Sequence, residues 1–326
     1  MKLLTRIGLT AGLLLLVCLL IWQGVMDVVQ LLVTSGWGLL WLPLAWLPNF
    51  LPATYAWWLL FKREQSPNFM QALLAMWMGR SVNNLLPVAT IGGEVAKARL
   101  VSLWACKGTD ASASVIVDKT VQVLAVLVWG LAGVSLLLSS SLDDQLALIA
   151  LAGFAVLALC VTGFFMFQKA GMIGILTRLG GKLIKTDSWE GISLSAETVD
   201  ATVLEIYNRK TNFVLAVCFK VMGLVLQTAE VWLACYLLGH PIGLVEALML
   251  KSLTSTLSDV AFVIPNAYGI QEGAFIVIGA LIGLTPDVSL AVSLAIRIKD
   301  LVFDPAGLLT LHQIESKQLL QRSNAA

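Results

Sequence analysis

The sequence predicts an all-α polytopic membrane protein: six spanning helices and two oppositely oriented re-entrant helical hairpins, arranged as an inverted repeat. Three observations carry this expectation. Of 326 residues, 58% are hydrophobic and 13% charged, and mean hydropathy is +0.87, far from the balance of a soluble domain. Among the connectors, lysine and arginine occur only on alternate ones. One short phrase also occurs twice, as P-V-A-T-I-G-G-E at 87–94 and P-N-A-Y-G-I-Q-E at 265–272, 178 residues apart.

The first expected span is 7–26. Lys2 and Arg6 precede an apolar run, and no small-x-small cleavage pattern follows Val25-Met26-Asp27, so an uncleaved anchor helix is expected. The other spans are expected at 37–61, 112–138, 146–167, 213–238 and 288–311. Trp37–Phe61, Thr120–Leu142 and Leu146–Gln168 contain no charged residue, and each exceeds the ~20 apolar residues needed to cross hydrocarbon. The connectors Asp27–Gly36, Ser139–Gln145, Gly239–Leu244 and Thr285–Asp287 carry no Lys or Arg. The opposite set carries Lys2, Arg6, Lys62, Arg63, Lys107, Lys169, Arg178, Lys182, Lys185, Arg209, Lys210, Lys317 and Arg322. The positive-inside rule then puts both termini in the cytoplasm.

Regions 70–104 and 245–284 are too broken to cross simply. For an even count of crossings, each must enter and leave on one face, the first from the cytoplasm and the second from outside. Proline and glycine interrupt a helix, and interrupted backbone is tolerated at membrane depth only where protein or a watery cavity satisfies it. Pro87, Gly92 and Gly93, and Pro265, Gly269 and Gly273, are the expected breaks. Span, hairpin and span recur in 37–138 and 213–311, within one integral membrane domain. Matched breaks in two such halves point to a shared substrate site. Between the halves, 168–212 reads as a cytoplasmic insertion of amphipathic helices (171–185 and 194–207) lying on the inner leaflet.

Many charged residues fall inside these regions, among them Arg80, Glu94, Lys97, Arg99, Asp118, Lys119, Lys220, Glu230, Lys251, Asp259, Glu272, Arg297, Lys299, Asp300 and Asp304. Each costs about 2.5–3.5 kcal/mol to insert, so such groups face a cavity or pair with one another. Arg80, Asn84, Glu94, Lys119, Glu272 and Arg297 are the candidate substrate-binding residues. Lys119 and Arg297 are also 178 apart, and arginine suits bidentate phosphate contact. Arg297, Asp300 and Asp304 share a helical face, and an Arg297–Asp300 pair would serve equally as a helix lock. Glu94 and Glu272 open helices after glycine-containing breaks. There they either cap the helix and answer its dipole or orient a basic partner at an anion-attracting helix start. Asn83 and Asn84 are expected to cap exposed backbone. The cysteines read as small buried hydrophobes, and the tryptophans as interfacial anchors or packing. No metal-ligand spacing, nucleophile elbow, P-loop or HExxH occurs, so no catalytic residue, metal or cofactor is expected, and the neutral charge gives no reason to expect nucleic acid.

The stretch N-N-L-L-P-V-A-T-I-G-G-E-V-A-K-A-R (83–99) resembles the first signature of the flippase-like membrane family that includes the transmembrane domain of lysylphosphatidylglycerol synthases. P-N-A-Y-G-I-Q-E-G-A-F (265–275), I-G-L-T-P-D (282–287) and I-R (296–297) resemble the second. N-N-L-L-P-V-A, V-I-V-D-K-T (115–120) and Q-E-G (271–273) resemble the subgroup found with hopanoid biosynthesis. The resemblance implies a bacterial inner-membrane protein moving a polar lipid, of hopanoid or phospholipid type, between leaflets or toward the outer membrane. Its partners would be that lipid, copies of itself and enzymes of lipid biosynthesis. The synthases' soluble transferase domain is not in this sequence, so synthesis of a lysyl lipid is not expected, and with no catalytic constellation found an enzyme is not expected. Ser258 and Asp259, just before the second break, depart from the neutral or basic residues expected there and weigh against a purely anionic substrate. A membrane-embedded lipid-modifying enzyme using Glu94 or Glu272 as base, and an ion-coupled small-solute transporter, are the alternatives.

Overall fold

The computed structural model describes residues 17, 25–62, 66–86, 91–139, 144–175, 189–260 and 265–325. The described residues are helical with no strand. Most of the expected first span, residues 87–90 with Pro87, and 176–188 of the insertion lie outside them.

The chain runs through α1 (Val25–Ser35), a 3-10 turn, α2 (Leu42–Trp46), a second 3-10 turn ending at Asn49, and α3 (Phe50–Trp58). Expected as a polar connector, 27–36 is helical instead: Asp27 is its only charged residue, it contains no proline, and its apolar residues fall at helical spacing. Pro43, Pro48 and Pro52 then tighten the path into short segments. Two arms follow, α4 (Phe69–Leu85) and α5 (Gly92–Trp104), and then the long α6 (Gly108–Ser139). Asn68 and Gln71 start α4 with a reciprocal capping box. α7 (Asp144–Lys169) and α8 (Trp189–Asn208) lead into the second half.

That half contains α9 (Lys210–Leu226), α10 (Thr228–Leu237), the arms α11 (Leu244–Val260) and α12 (Ile270–Leu281), then α13 (Pro286–Ile296) and α14 (Ile298–Ala325). Three helix starts recur at the interval of the twin phrases, 178 residues: Phe50 and Thr228, Gly92 and Ile270, Gly108 and Pro286. Packing recurs too, with exchanged partners: α4 lies on α14, and α11 lies on α6. In one interface Trp129 Nε1 donates to Ser255 Oγ (3.2 Å). In the other, the equivalent residues are Gly307 and Trp77, again a tryptophan against a small residue. Asn49 and Gln227 are also equivalent, and they meet: Gln227 Nε2 donates to Asn49 Oδ1 at 3.4 Å.

Among the described residues, three segments are long and apolar enough to cross a bilayer: Val29–Trp58, Gly108–Ser139 and Lys210–Leu237. The expected 288–311 span is formed by α13 and α14, which meet at Arg297, much as α9 and α10 meet at Gln227 within Lys210–Leu237. Large apolar side chains stay exposed along α6, α9 and α14, including Val128, Val214, Leu301 and Leu309, as a lipid-facing surface requires.

The insertion differs from the surface-lying helices expected. Val199, Val203, Ile206 and Tyr207 of α8 are buried in the same cluster as Val117 and Val121 of α6, and Asp200 accepts the backbone N–H groups of Ile173 and Gly174. Its apolar face is therefore consumed by protein. Trp46 and Trp57 are buried, whereas Trp37 and Trp41 are exposed, as interfacial residues would be. Cys106 and Cys235 are buried and Cys218 is exposed.

The first pair of arms is closed by glycine. A Cβ on Gly93 would collide with the Gly79 carbonyl and the Asn83 side chain, so α4 and α5 touch backbone to backbone. Gly93→Ala is expected to cost about 1–3 kcal/mol through overpacking, while Gly163→Ala, with open space around it, should be neutral or stabilising. Thermal melting in detergent of both variants checks this; equal melting temperatures would contradict it.

Candidate functional site

The two glutamates expected to open helices do so in different ways. Gly269, at φ +78°, supplies the left-handed turn before α12, and its N–H donates to Glu272 Oε2 at 2.7 Å. Glu272 thus caps its helix. Its other oxygen, Oε1, accepts Arg297 Nε at 2.7 Å, so capping and cation pairing are two uses of one carboxylate. Glu94 does not cap. Asn83 takes that role, accepting the Gly93 N–H at 2.8 Å, and Glu94 Oε1 is left for Lys119 Nζ at 2.8 Å.

Both halves therefore build the same pair, a glutamate in the first turn after the break and a cation 25 residues further on. Their surroundings differ. Glu272 has no exposed surface and the Arg297 side chain is 11% exposed, whereas Lys119 is 45% exposed.

Around the first pair the charges alternate in a ladder. Lys119 pairs with Glu94, Glu94 with Lys97 (3.0 Å), Lys97 with Asp118 (2.8 Å), and Asp118 with Lys220 (2.8 Å). Lys97 also lies over the Trp57 ring, 4.6 Å from its centroid. Around the second pair the chain of contacts is longer. Arg297 donates to the Asn266 carbonyl and lies 4.6 Å from the Tyr268 ring centroid. Asn266 and Ala267 hold left-handed backbone, and Asn266 Nδ2 donates to Asp300 Oδ2 at 3.3 Å. Asp300 pairs with Arg80, Arg80 reaches Asp304 at 3.8 Å, and Asn84 Nδ2 donates to Asp304 Oδ2 at 2.8 Å. Arg80 lies over Trp46, and its Nη1 has no hydrogen-bond partner among the described residues.

The six candidate binding residues thus fall into three groups: Glu94 with Lys119, Glu272 with Arg297, and Arg80 with Asn84 through Asp304. The last two are linked by Asp300 and Asn266, while Glu94 joins α4 only through Asn83 (3.4 Å). Glu94, Lys119, Glu272 and Arg297 line two separate pairs, not one ring. The expected Arg297–Asp300 lock does not form, because each partner reaches a hairpin instead. Of the break residues, Gly92 and Gly93 are the first residues of α5, Pro265 opens a 3-10 turn, and Gly269 caps α12. Gly273 lies inside α12 and is no part of a break. The Lys97–Asp118–Lys220 triad and the Arg80–Asp300 pair are additions that sequence spacing did not assign. A cavity of about 430 Å³ lies elsewhere, lined by Leu136, Ser139, Glu246 and Met249.

Asp259 stands at the end of α11, within the field of Lys119 and Lys251, and its side chain is exposed.

These features define an all-helical membrane protein that spends its intramembrane charges in pairs around two helix breaks. The chain belongs to the family described as lysylphosphatidylglycerol synthase TM region, which matches residues 9–304. That membership ties the protein to membrane lipids. No curated protein and no solved structure matches the chain.

Exposure ranks the two pairs. Arg297→Ala strands Glu272 in a site without water, an effect of about 3–5 kcal/mol, while Lys119→Ala leaves Glu94 with Lys97 and should cost under ~1 kcal/mol. Thermal or denaturant unfolding in detergent reads both. A larger loss for Lys119→Ala would contradict the ranking.

Proposed function

We propose that the protein is a lipid transporter that moves a polar lipid, of hopanoid or phospholipid type, between the leaflets of the bacterial inner membrane or toward the outer membrane. The observation that carries the reading is the repeated glutamate–cation pair, open in one half and closed in the other. A headgroup reaching the exposed side of Lys119 would meet that cation and the ladder behind it while its tails remain in lipid. Arg80 and Asn84 on one hairpin, and Glu272 and Arg297 beside the other, would receive it next.

Two further features support an inverted repeat. Exchanged packing of α4 on α14 and α11 on α6, with Asn49 meeting its own equivalent Gln227, is the pattern of a two-fold relation. The hairpin arms have 17, 13, 17 and 12 residues. At ~1.5 Å per residue they reach about 18–26 Å, short of a ~30 Å hydrocarbon core, which favours re-entrance over full crossing. The described part of the second break, 265–267, lies against α4, the helix that leads into the first. In this reading 37–138 and 213–311 are the two repeats, 168–212 is cytoplasmic, and both termini are cytoplasmic.

Lipid analysis by leaflet in a deletion strain tests the function. Unchanged total lipid with a shifted leaflet distribution is the expected result. Loss of one chemical species would overturn the reading in favour of a lipid-modifying enzyme, and unchanged lipids with loss of a small solute's uptake would favour a solute carrier. For topology, a cysteine at position 190 in an otherwise cysteine-free chain should resist impermeant maleimide added to intact cells, and one at His240 should react. Labelling at 190 from outside contradicts the orientation.

A further inference from the structure

Asn49 and Gln227, the equivalent residues that meet, stand where two long segments cross. In the first segment, α2 and α3 are joined by the 3-10 turn that ends at Asn49. In the second, α9 and α10 are joined at Gln227. α9 packs on α3 and α10 on α2, so each segment crosses the other at its own kink. The crossing is close: a Cβ on Gly223 would come within 3.2 Å of the Asn49 carbonyl oxygen. Exposure repeats along the two segments. Leu44, Leu47 and Leu51 are exposed, as are their equivalents Met222, Val225 and Ala229, while Trp46 and its equivalent Leu224 are both buried. At the centre Gln227 Nε2 donates to Asn49 Oδ1 at 3.4 Å, and Asn49 Nδ2 donates to the Trp46 carbonyl.

A contact between a residue and its own equivalent is special under a two-fold relation, because the operation maps it onto itself. When two such halves exchange conformations, every other contact takes the geometry of the contact between the equivalent residues. Trp129 on Ser255 takes the geometry of Gly307 on Trp77, and the reverse. The Asn49–Gln227 contact is its own image and persists. Its chemistry permits this, since each amide carries both donors and an acceptor. With the halves exchanged, Asn49 Nδ2 donates to Gln227 Oε1, and Gln227 Nε2 turns to the carbonyl of Leu224, the equivalent of Trp46. We propose that the Asn49–Gln227 crossing is the pivot of the transporter, closed throughout the cycle while its hydrogen bond reverses direction and the hairpins move about it. This deepens the transporter reading and rests on it, as it does on rigid-body motion of one repeat against the other.

Cysteines at 49 and 227, in an otherwise cysteine-free chain, can be joined by a short, reducible bis-thiosulfonate. The protein is then placed in liposomes carrying a fluorescent phospholipid or, separately, a fluorescent hopanoid. The joined protein should exchange lipid between leaflets at the rate of the same sample after reduction. A link between cysteines at 129 and 255, across an interface that must change, should slow exchange several-fold until it is reduced. Recovery on reduction shows that each variant is folded. Exchange blocked by the 49–227 link and restored by reduction overturns the pivot and leaves the transporter reading standing. Exchange indifferent to both links also overturns it, because the crossing is then no more fixed than the 129–255 interface. A wild type that moves neither lipid overturns the transporter reading and the pivot with it. Where the cysteine pair itself disables the protein, spin labels at the exposed equivalents Leu51 and Ala229 decide. Their separation maps onto itself and should be single, whereas the pairs 47–273 and 225–95 should share two separations with interchanged populations. Two separations at 51–229, or unrelated ones at the other pairs, overturn the pivot.

Discussion

Arg297 and Glu272 hold each other at a place where neither is tolerated alone. Glu272 has no exposed surface, and it already caps α12 through the Gly269 N–H. The cation at the junction of α13 and α14 therefore meets a carboxylate fixed in position by the helix it starts. The same requirement, that a charge away from water be neutralised within about 3 Å, runs through the rest of the molecule. It joins α4 to α14 through Arg80 and Asp300, α5 to α6 through Lys97 and Asp118, α6 to α9 through Lys220, and α10 to α14 through Lys299 and Glu230. Apolar packing supplies the bulk of the contact, but apolar surface has little preference between a neighbouring helix and lipid. The paired charges, together with close backbone approaches such as Gly79 against Gly93, are what make one arrangement of these helices better than another.

The equivalence of the two halves gives these pairs a further meaning. A pair partly exposed in one half and sealed in the other is what the proposed carrier would present when caught on one side. If the halves exchange conformations, Glu272–Arg297 becomes the open pair and Glu94–Lys119 the sealed one. The energetic requirement is modest. The two states must differ by only a few kcal/mol, which the loss and gain of one half-exposed ion pair can bias.

Much of this was legible in the sequence, because it is local. Helix starts after glycine, acids in first turns and the 178-residue interval are written in short stretches, and the equivalent starts at Gly92 and Ile270 follow directly. What the sequence hid is pairing over long separations. Nothing in the spacing of Arg80 and Asp300, 220 residues apart, says that they meet, and helical periodicity pointed Asp300 at Arg297 instead. Trp46 and Trp57 read as interfacial because tryptophan commonly is, whereas here they lie against Arg80 and Lys97. The α8 helix read as membrane-lying because its amphipathic pattern states that a face is buried but not against what.

The central claim is that equivalent positions in the two halves face opposite sides of the membrane. Val95 and Gly273 are equivalent, one turn into α5 and α12; Val95 is exposed, and a side chain at Gly273 meets nothing within 4 Å. Single cysteines at these positions, in a functional cysteine-free chain, can be probed with impermeant maleimide on right-side-out and inverted vesicles. The account predicts that position 95 reacts only from the cytoplasmic face and position 273 only from the outer face. Reaction of both from the same face would contradict it.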